Sequence, residues 1–224
     1  MKPESVMLGD LCQVTPSPSS DLFTELSVEA DGTPVVTPAD ITPARQIDTQ
    51  ALRRLPSTAT GLERYRLRGG DLVLVRLGSV GRIALVDDGD EQWIYHSSCI
   101  RIRPDTSRVD PVFLAAYLAY PPVVDELLSH VQVGTVPVLT AGSLKALPVA
   151  LPELRKQRLM AGALSEVALQ MSVQHRILAR LEAVGQGLFT KILGDEFPGM
   201  AASRPTGALS KSKVPRTRRT NRMS

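Results

Sequence analysis

The chain has 224 residues, is 43% hydrophobic and carries a formal net charge of +3. That is enough apolar material for one packed domain with appendages, which excludes disorder throughout. No apolar run approaches the ~20 residues needed to span a bilayer, and the opening residues show no signal-peptide pattern, so a cytoplasmic protein is expected.

The first segment, Val6-Met7-Leu8-Gly9-Asp10-Leu11-Cys12-Gln13-Val14, is apolar and is closed by Thr15-Pro16-Ser17-Pro18. Its pattern fits a helical turn or a strand equally well. Two cysteines, Cys12 and Cys99, supply neither a disulfide framework nor a four-ligand metal cage, so no metal site is expected. Thr33-Pro34-Val35-Val36-Thr37 reads as a short strand, with Asp40 organising the turn that follows. Residues 42–62 lack periodicity and read as a surface loop holding Arg45, Arg53 and Arg54.

Charge is segregated along this part of the chain. Residues 1–41 carry one Lys and seven acids, whereas residues 42–82 carry eight Arg, three acids and no Lys. Arg is the side chain suited to bidentate contacts with phosphate and guanine, so the block, which includes Arg64 and Arg66, points to nucleic acid. Pairing of these arginines with the acidic flanks on a solvated surface is the equal alternative.

The strongest local pattern runs from Tyr65 to Val86. Gly69-Gly70-Asp71 is a turn, and two β-rich runs flank Gly78-Ser79-Val80-Gly81, which predicts a hairpin with Arg76 and Arg82 on its shoulders. The glycines permit close approach of backbone N–H groups to an anion, and Ser79 adds a hydroxyl. Neither Gly-x-x-x-x-Gly-Lys-[Ser/Thr] nor Gly-x-Gly-x-x-Gly is present, which speaks against a nucleotide cofactor. Beyond an acidic turn, Cys99-Ile100-Arg101-Ile102-Arg103-Pro104 alternates and predicts a half-buried strand, Arg101 and Arg103 on one face and Cys99 an inert part of the apolar side. His96 has no nucleophile or carboxylate spaced to form a catalytic set, so it reads as a hydrogen-bonded domain residue or a DNA contact. Pro111–Leu118 predicts a helix capped by Asp110, and a second short helix follows Pro121-Pro122.

Leu147-Pro148-Val149-Ala150-Leu151-Pro152 must be extended, because a residue before proline avoids helical geometry; a helix is released after Pro152. Downstream, Met160, Leu164, Val167, Met171, Gln174, Leu178, Leu181, Gly185 and Leu188 alternate four- and three-residue steps, a heptad seam with one polar residue suited to fixing register. At ~1.5 Å rise per residue, roughly 40 helical residues reach about 60 Å, longer than a small domain can cover. The seam is therefore read as the partner-facing side of a long helix that frays near Gly185 and Gly187. An ordinary amphipathic core helix is the alternative. Residues 194–224 are basic, polar and proline-containing, and read as a disordered tail.

Taken together, the order of Leu8-Gly9-Asp10-Leu11, Val35 to Ile41, Gly70 to Gly81, Gly134-Thr135 and Leu147 to Pro152, ending in Gln157 before the long helix, resembles the DNA-specificity subunit of type I restriction-modification systems. Lys156 and Ser97-Ser98 depart from that family's usual pattern. The resemblance implies a mixed α/β target-recognition domain over residues 1–152, a spacer and dimerisation helix over 153–193 and a basic tail over 194–224. It also implies a non-catalytic reader of one half of a bipartite DNA site, in the half-subunit form with a single recognition domain. Its partners would be double-stranded DNA, a modification subunit carrying S-adenosylmethionine, a restriction subunit in some systems, and a second copy or another specificity chain along the helix. The chain itself would bind no cofactor. Candidate DNA-binding residues are Arg45, Arg53, Arg54, Arg64, Arg66, Arg76, Ser79, Arg82, His96 and Thr135, and the helix contacts would be Met160, Leu164, Val167, Met171, Gln174, Leu178, Leu181 and Leu188. Two rivals are weighed against this. A small enzyme needs a carboxylate pair, metal cluster or nucleophile–base set that the sequence does not assemble. A coiled-coil scaffold without DNA reading explains the helix and leaves the arginine block without a role.

Overall fold

The computed structural model describes residues 4–90, 92–131 and 138–193. Thr135 and the tail 194–224 lie outside the described residues. The chain divides into two compact units, Met1–Gln174 and His175–Ser224.

The first unit is mixed α/β. Its opening segment uses both of the conformations its sequence allows: β1 (Glu4–Met7), a single helical turn α1 (Leu8–Leu11), then β2 (Cys12–Thr15). The next strands are β3 (Val35–Val36), β4 (Leu72–Val75), β5 (Ile83–Leu85), β6 (Ile94–Tyr95) and β7 (Cys99–Pro104). The central sheet has the order β2-β7-β4-β5, antiparallel throughout, and β3 pairs with β6 in parallel beside it. Helices α2 (Pro111–Leu118), α3 (Pro121–Ser129) and α4 (Ala141–Lys145) follow. The strand β8 (Pro148–Leu151) then pairs antiparallel with β1, bringing the start of the chain to the root of α5 (Leu154–Leu193).

Local signals explain most of these elements. Asp110 Oδ1 accepts the N–H groups of Val112 and Phe113 at 3.0 Å each, and Pro111 occupies the first turn, where its missing N–H costs nothing. Thr140 caps α4 through the Ser143 N–H at 3.0 Å. In the β4–β5 hairpin, Gly78 and Gly81 take φ +78 and +93°, a region that side chains with a Cβ rarely enter.

The central sheet is covered on both faces. Leu72, Leu74, Ile100 and Ile102 point into a core with Leu8, Leu114, Leu118 and Leu144, while Val73, Val75 and Cys99 point into a second with Val36, Leu67 and Tyr95. This corrects the half-buried reading of residues 99–104. Five of the six are buried, Arg101 among them, because the segment 62–68 crosses the face that alternation alone assigns to solvent. Cys99 is buried as expected, but on the arginine side of the strand.

The first turns of α5 belong to the domain. Ala161 joins the larger core and Gln157 is fully buried. The Gln157 amide oxygen accepts the Asp110 N–H at 2.9 Å, and its nitrogen donates to the Arg108 and Pro152 carbonyls at 3.1 and 2.8 Å. A crevice between the domain and α5 is lined by Arg45, Leu85, Val112, Ala115, Leu164 and Ala168, so Leu164 of the seam turns partly towards its own globule. Met160 and Val167 are exposed. In the second unit the helix runs from His175 to Leu193, and Ile177, Leu178, Leu181, Val184, Leu188, Phe189 and Ile192 are all exposed.

Replacing Gln157 with Ala strands three part-buried backbone groups, each worth about 1–3 kcal/mol when fully desolvated and unsatisfied. We expect the urea midpoint to fall by the equivalent of roughly 2–4 kcal/mol with an unchanged m-value. A loss under about 0.5 kcal/mol, the size of a neutral surface change, would show that the amide does not hold the helix root.

Candidate nucleic-acid interface

The described residues converge on one strongly cationic feature, built from β2, β7 and the segment before β4. Thr15 of β2 lies directly opposite Arg101 of β7, and Gln13 opposite Arg103. Arg101 is 4% exposed. Its Nη1 donates to the Arg64 and Arg66 carbonyls at 3.1 and 2.8 Å, and its Nη2 to Thr15 Oγ1 at 2.8 Å. Its Nε has no hydrogen-bond partner. Burial, reinforced by the neighbouring Arg103, pulls the Arg101 guanidinium below its ordinary range.

Arg103 is held differently. Its Nε and Nη2 each meet an oxygen of Asp71 at 2.7 Å, a bidentate pair that raises the Arg103 pKa. Asp71 is 1% exposed and also accepts the Arg68 N–H at 2.9 Å, so one carboxylate fixes both the strand arginine and the turn into β4. Arg64, Arg66, Arg68 and Lys145 complete the lining of an open groove of about 630 Å³, with Gln13 and Gln92 as amide partners and Glu63 as an acid in the wall. Among the described residues, Arg103 is the one lining cation paired with a carboxylate.

Burial pushes the Cys12 and Cys99 thiols up to about 12, which leaves no thiolate at neutral pH. Among the described residues no group of three or more His, Cys, Asp or Glu side chains could hold a metal ion. Among the same residues no single helix is long and apolar enough to cross a membrane.

The model of the type I restriction modification DNA specificity domain matches residues 2–183. The chain belongs to that family. The specificity domain is also similar in fold to the HsdS subunit from Thermoanaerobacter tengcongensis, with a TM-score of 0.59 and 18% identity over 91% of this chain and 52% of that one. A chain from a study of complex assembly and conformational transition of the type I R-M system gives 0.57 at 23% identity, over 88% of this chain and 46% of that one. The specificity domain thus spans about half the length of the solved structures it matches. No curated protein matches it at the same stringency.

The sequence-derived arginines of the specificity domain do not form one cluster. Arg64 and Arg66 lie in the groove. Arg53 is exposed and acts on His96, whose pKa is lowered first by burial and then by that arginine. His96 Nδ1 accepts the Ser98 N–H at 3.2 Å, and its ring lies 4.7 Å from Phe23. Arg54 and Arg76 are tied to backbone: Arg54 to the Gly32 carbonyl at 3.1 Å, Arg76 to those of Leu139 and Ser97 at 3.2 and 3.4 Å. Arg82 donates to the Ile41 carbonyl beside an exposed Ser79. Arg45, at φ +62°, lines the crevice beside α5 and not the groove.

Arg68, Arg101, Arg103 and Lys145 escaped the sequence reading as site residues. The spacing of Arg64, Arg66 and Arg68 and the alternation of Arg101 with Arg103 carried a signal, but only the β2–β7 register brings the two sets together.

Asp71→Asn keeps the shape and removes the charge that Arg103 requires. Leaving the half-buried Arg103 without the carboxylate it bonds costs about 1.5–3 kcal/mol, a Tm drop of roughly 3–12 °C for a unit of this size. A melting curve within about 1 °C of wild type would show that the pair contributes nothing net.

Proposed function

We propose that this chain is a non-catalytic, cytoplasmic reader of one half of a bipartite DNA site, lending sequence specificity to a modification subunit that methylates adenine. Residues 1–152 act as the recognition domain, 153–193 as spacer and docking helix, and 194–224 as a basic tail that adds affinity for duplex DNA. The observation that carries this reading is the match of the DNA specificity family's model to residues 2–183 of a mixed α/β domain followed by one long helix. Cations positioned on phosphates set orientation, and neighbouring loops read base edges in the major groove.

The exposed apolar residues of α5 support the second part of the proposal. Leu178, Leu181 and Leu188, with Ile177 and Val184 beside them, form more apolar surface than an isolated soluble helix keeps in water. Two copies paired antiparallel through this helix, or one copy with another specificity chain, present two recognition domains at a spacing set by helix length. The modification subunit supplies S-adenosylmethionine and the pocket for the flipped adenine; a restriction subunit joins in systems that also cleave.

The test combines mass and activity. Light scattering of the 24.2 kDa chain should give twice the monomer mass, and Leu178→Glu with Leu181→Glu should return it to monomer while the domain still melts cooperatively. With a modification subunit and S-adenosylmethionine, wild type should direct adenine methylation of duplex DNA that neither protein performs alone. A helix-intact monomer in the presence of the methyltransferase, or methylation by this chain unaided, contradicts the proposal.

A further inference from the structure

The groove between β2–β7 and the segment 63–68 has a buried cation at its base. Arg101 is buried, its Nε is unpartnered, and the groups that meet its other nitrogens are two carbonyls and a hydroxyl, all neutral. Burying a guanidinium whose hydrogen bonds all go to neutral groups is costly, and Asp71, the carboxylate that acts on it, is bonded to Arg103 instead. Around it stand Arg64, Arg66 and Arg68, none paired with a carboxylate among the described residues.

The chemistry of the lining selects the ligand class. Charged groups and amides dominate the wall, and among the described residues no aromatic ring lines it to offer a nucleobase a stacking platform. An array of cations in an open groove suits several oxyanions in series better than one compact anion. We propose that this groove, with Arg101 at its base, is the site that anchors the phosphodiester backbone of the duplex, and that the hairpin arginines Arg76 and Arg82 serve the fold. The assignment rests on the DNA-reading function proposed above and names the surface that carries it. An anion here would also relieve the repulsion between Arg101 and Arg103.

The two exposed side chains give a test that leaves the fold intact. Among the described residues Arg64 and Arg68 make no side-chain hydrogen bond, the Arg64 guanidinium lies 5.0 Å from the Tyr65 ring centroid, and Arg101 is held by the Arg64 carbonyl, which substitution leaves in place. Full-length wild type, Arg64→Gln/Arg68→Gln and a helix control, Arg176→Gln/Arg180→Gln, are titrated onto a labelled random-sequence duplex over a KCl series. Each lost phosphate contact lowers the salt slope by about 0.9, so the groove variant should lose nearly two and bind on the order of 10- to 100-fold more weakly at 0.1 M salt. The loss should be equal across unrelated duplex sequences, and the helix control should keep the wild-type slope. An unchanged slope in the groove variant, with wild type binding normally, overturns the groove assignment and leaves the DNA-reading function standing. Absence of duplex binding by wild type removes both. If millimolar inorganic phosphate or a nucleoside triphosphate raises the Tm of wild type alone while the salt slopes stay equal, the groove is a small-anion site and the backbone assignment fails.

Discussion

The fully buried amide of Gln157 closes three backbone gaps at once, and the rest of the molecule depends on the junction it makes. The chain must stop β8 at Pro152, start a helix, and leave the N-cap of α2 undistorted within the same few ångströms. A side-chain amide is suited to this because it donates and accepts on one rigid plane. The groups it joins are all main-chain, so the orientation of the helix root relative to the central sheet is set by backbone and not by adaptable side chains. The Tyr117 hydroxyl adds a second tie, accepting the Ala150 N–H at 3.0 Å and donating to the Pro148 carbonyl at 3.3 Å.

The central sheet has cores on both faces and is rigid for that reason, so loops and edge residues can vary without disturbing the platform. Its β2–β7 register carries a buried arginine and a neutralised one side by side, two different solutions to placing guanidinium groups near low-dielectric surroundings. Asp71 bonds one of them and the turn into β4, and Arg101 hydrogen-bonds only to neutral oxygens.

How much of this could be read from the sequence follows from the range of the interactions. The caps of α2, the hairpin after Gly69-Gly70-Asp71, the extended Leu147–Pro152 segment and the long helix depend on neighbours within a few residues, and their signals are local. The groove depends on Thr15 meeting Arg101 across 86 residues and on the segment 62–68 folding over β7, which no periodicity encodes. Alternation alone therefore assigned Arg101 to solvent. The place of Arg45 is hidden for a related reason: it belongs to the same arginine-rich block, but it sits in a turn closed by Thr42 and Gln46 and lines the crevice beside α5. The heptad seam was legible as a pattern, yet Ala161 and Leu164 show that its first turns serve the domain.

The central claim is that specificity resides in the globular domain and is carried by a helix that is indifferent to the sequence read. Exchanging residues 12–146 for the corresponding segment of another family member, with β8 and α5 retained, tests it most directly. Sequencing of methylated adenines should show one half-site replaced by that of the donor and the distance between half-sites unchanged. An altered distance with the original half-site retained would place recognition in the helix and contradict the account.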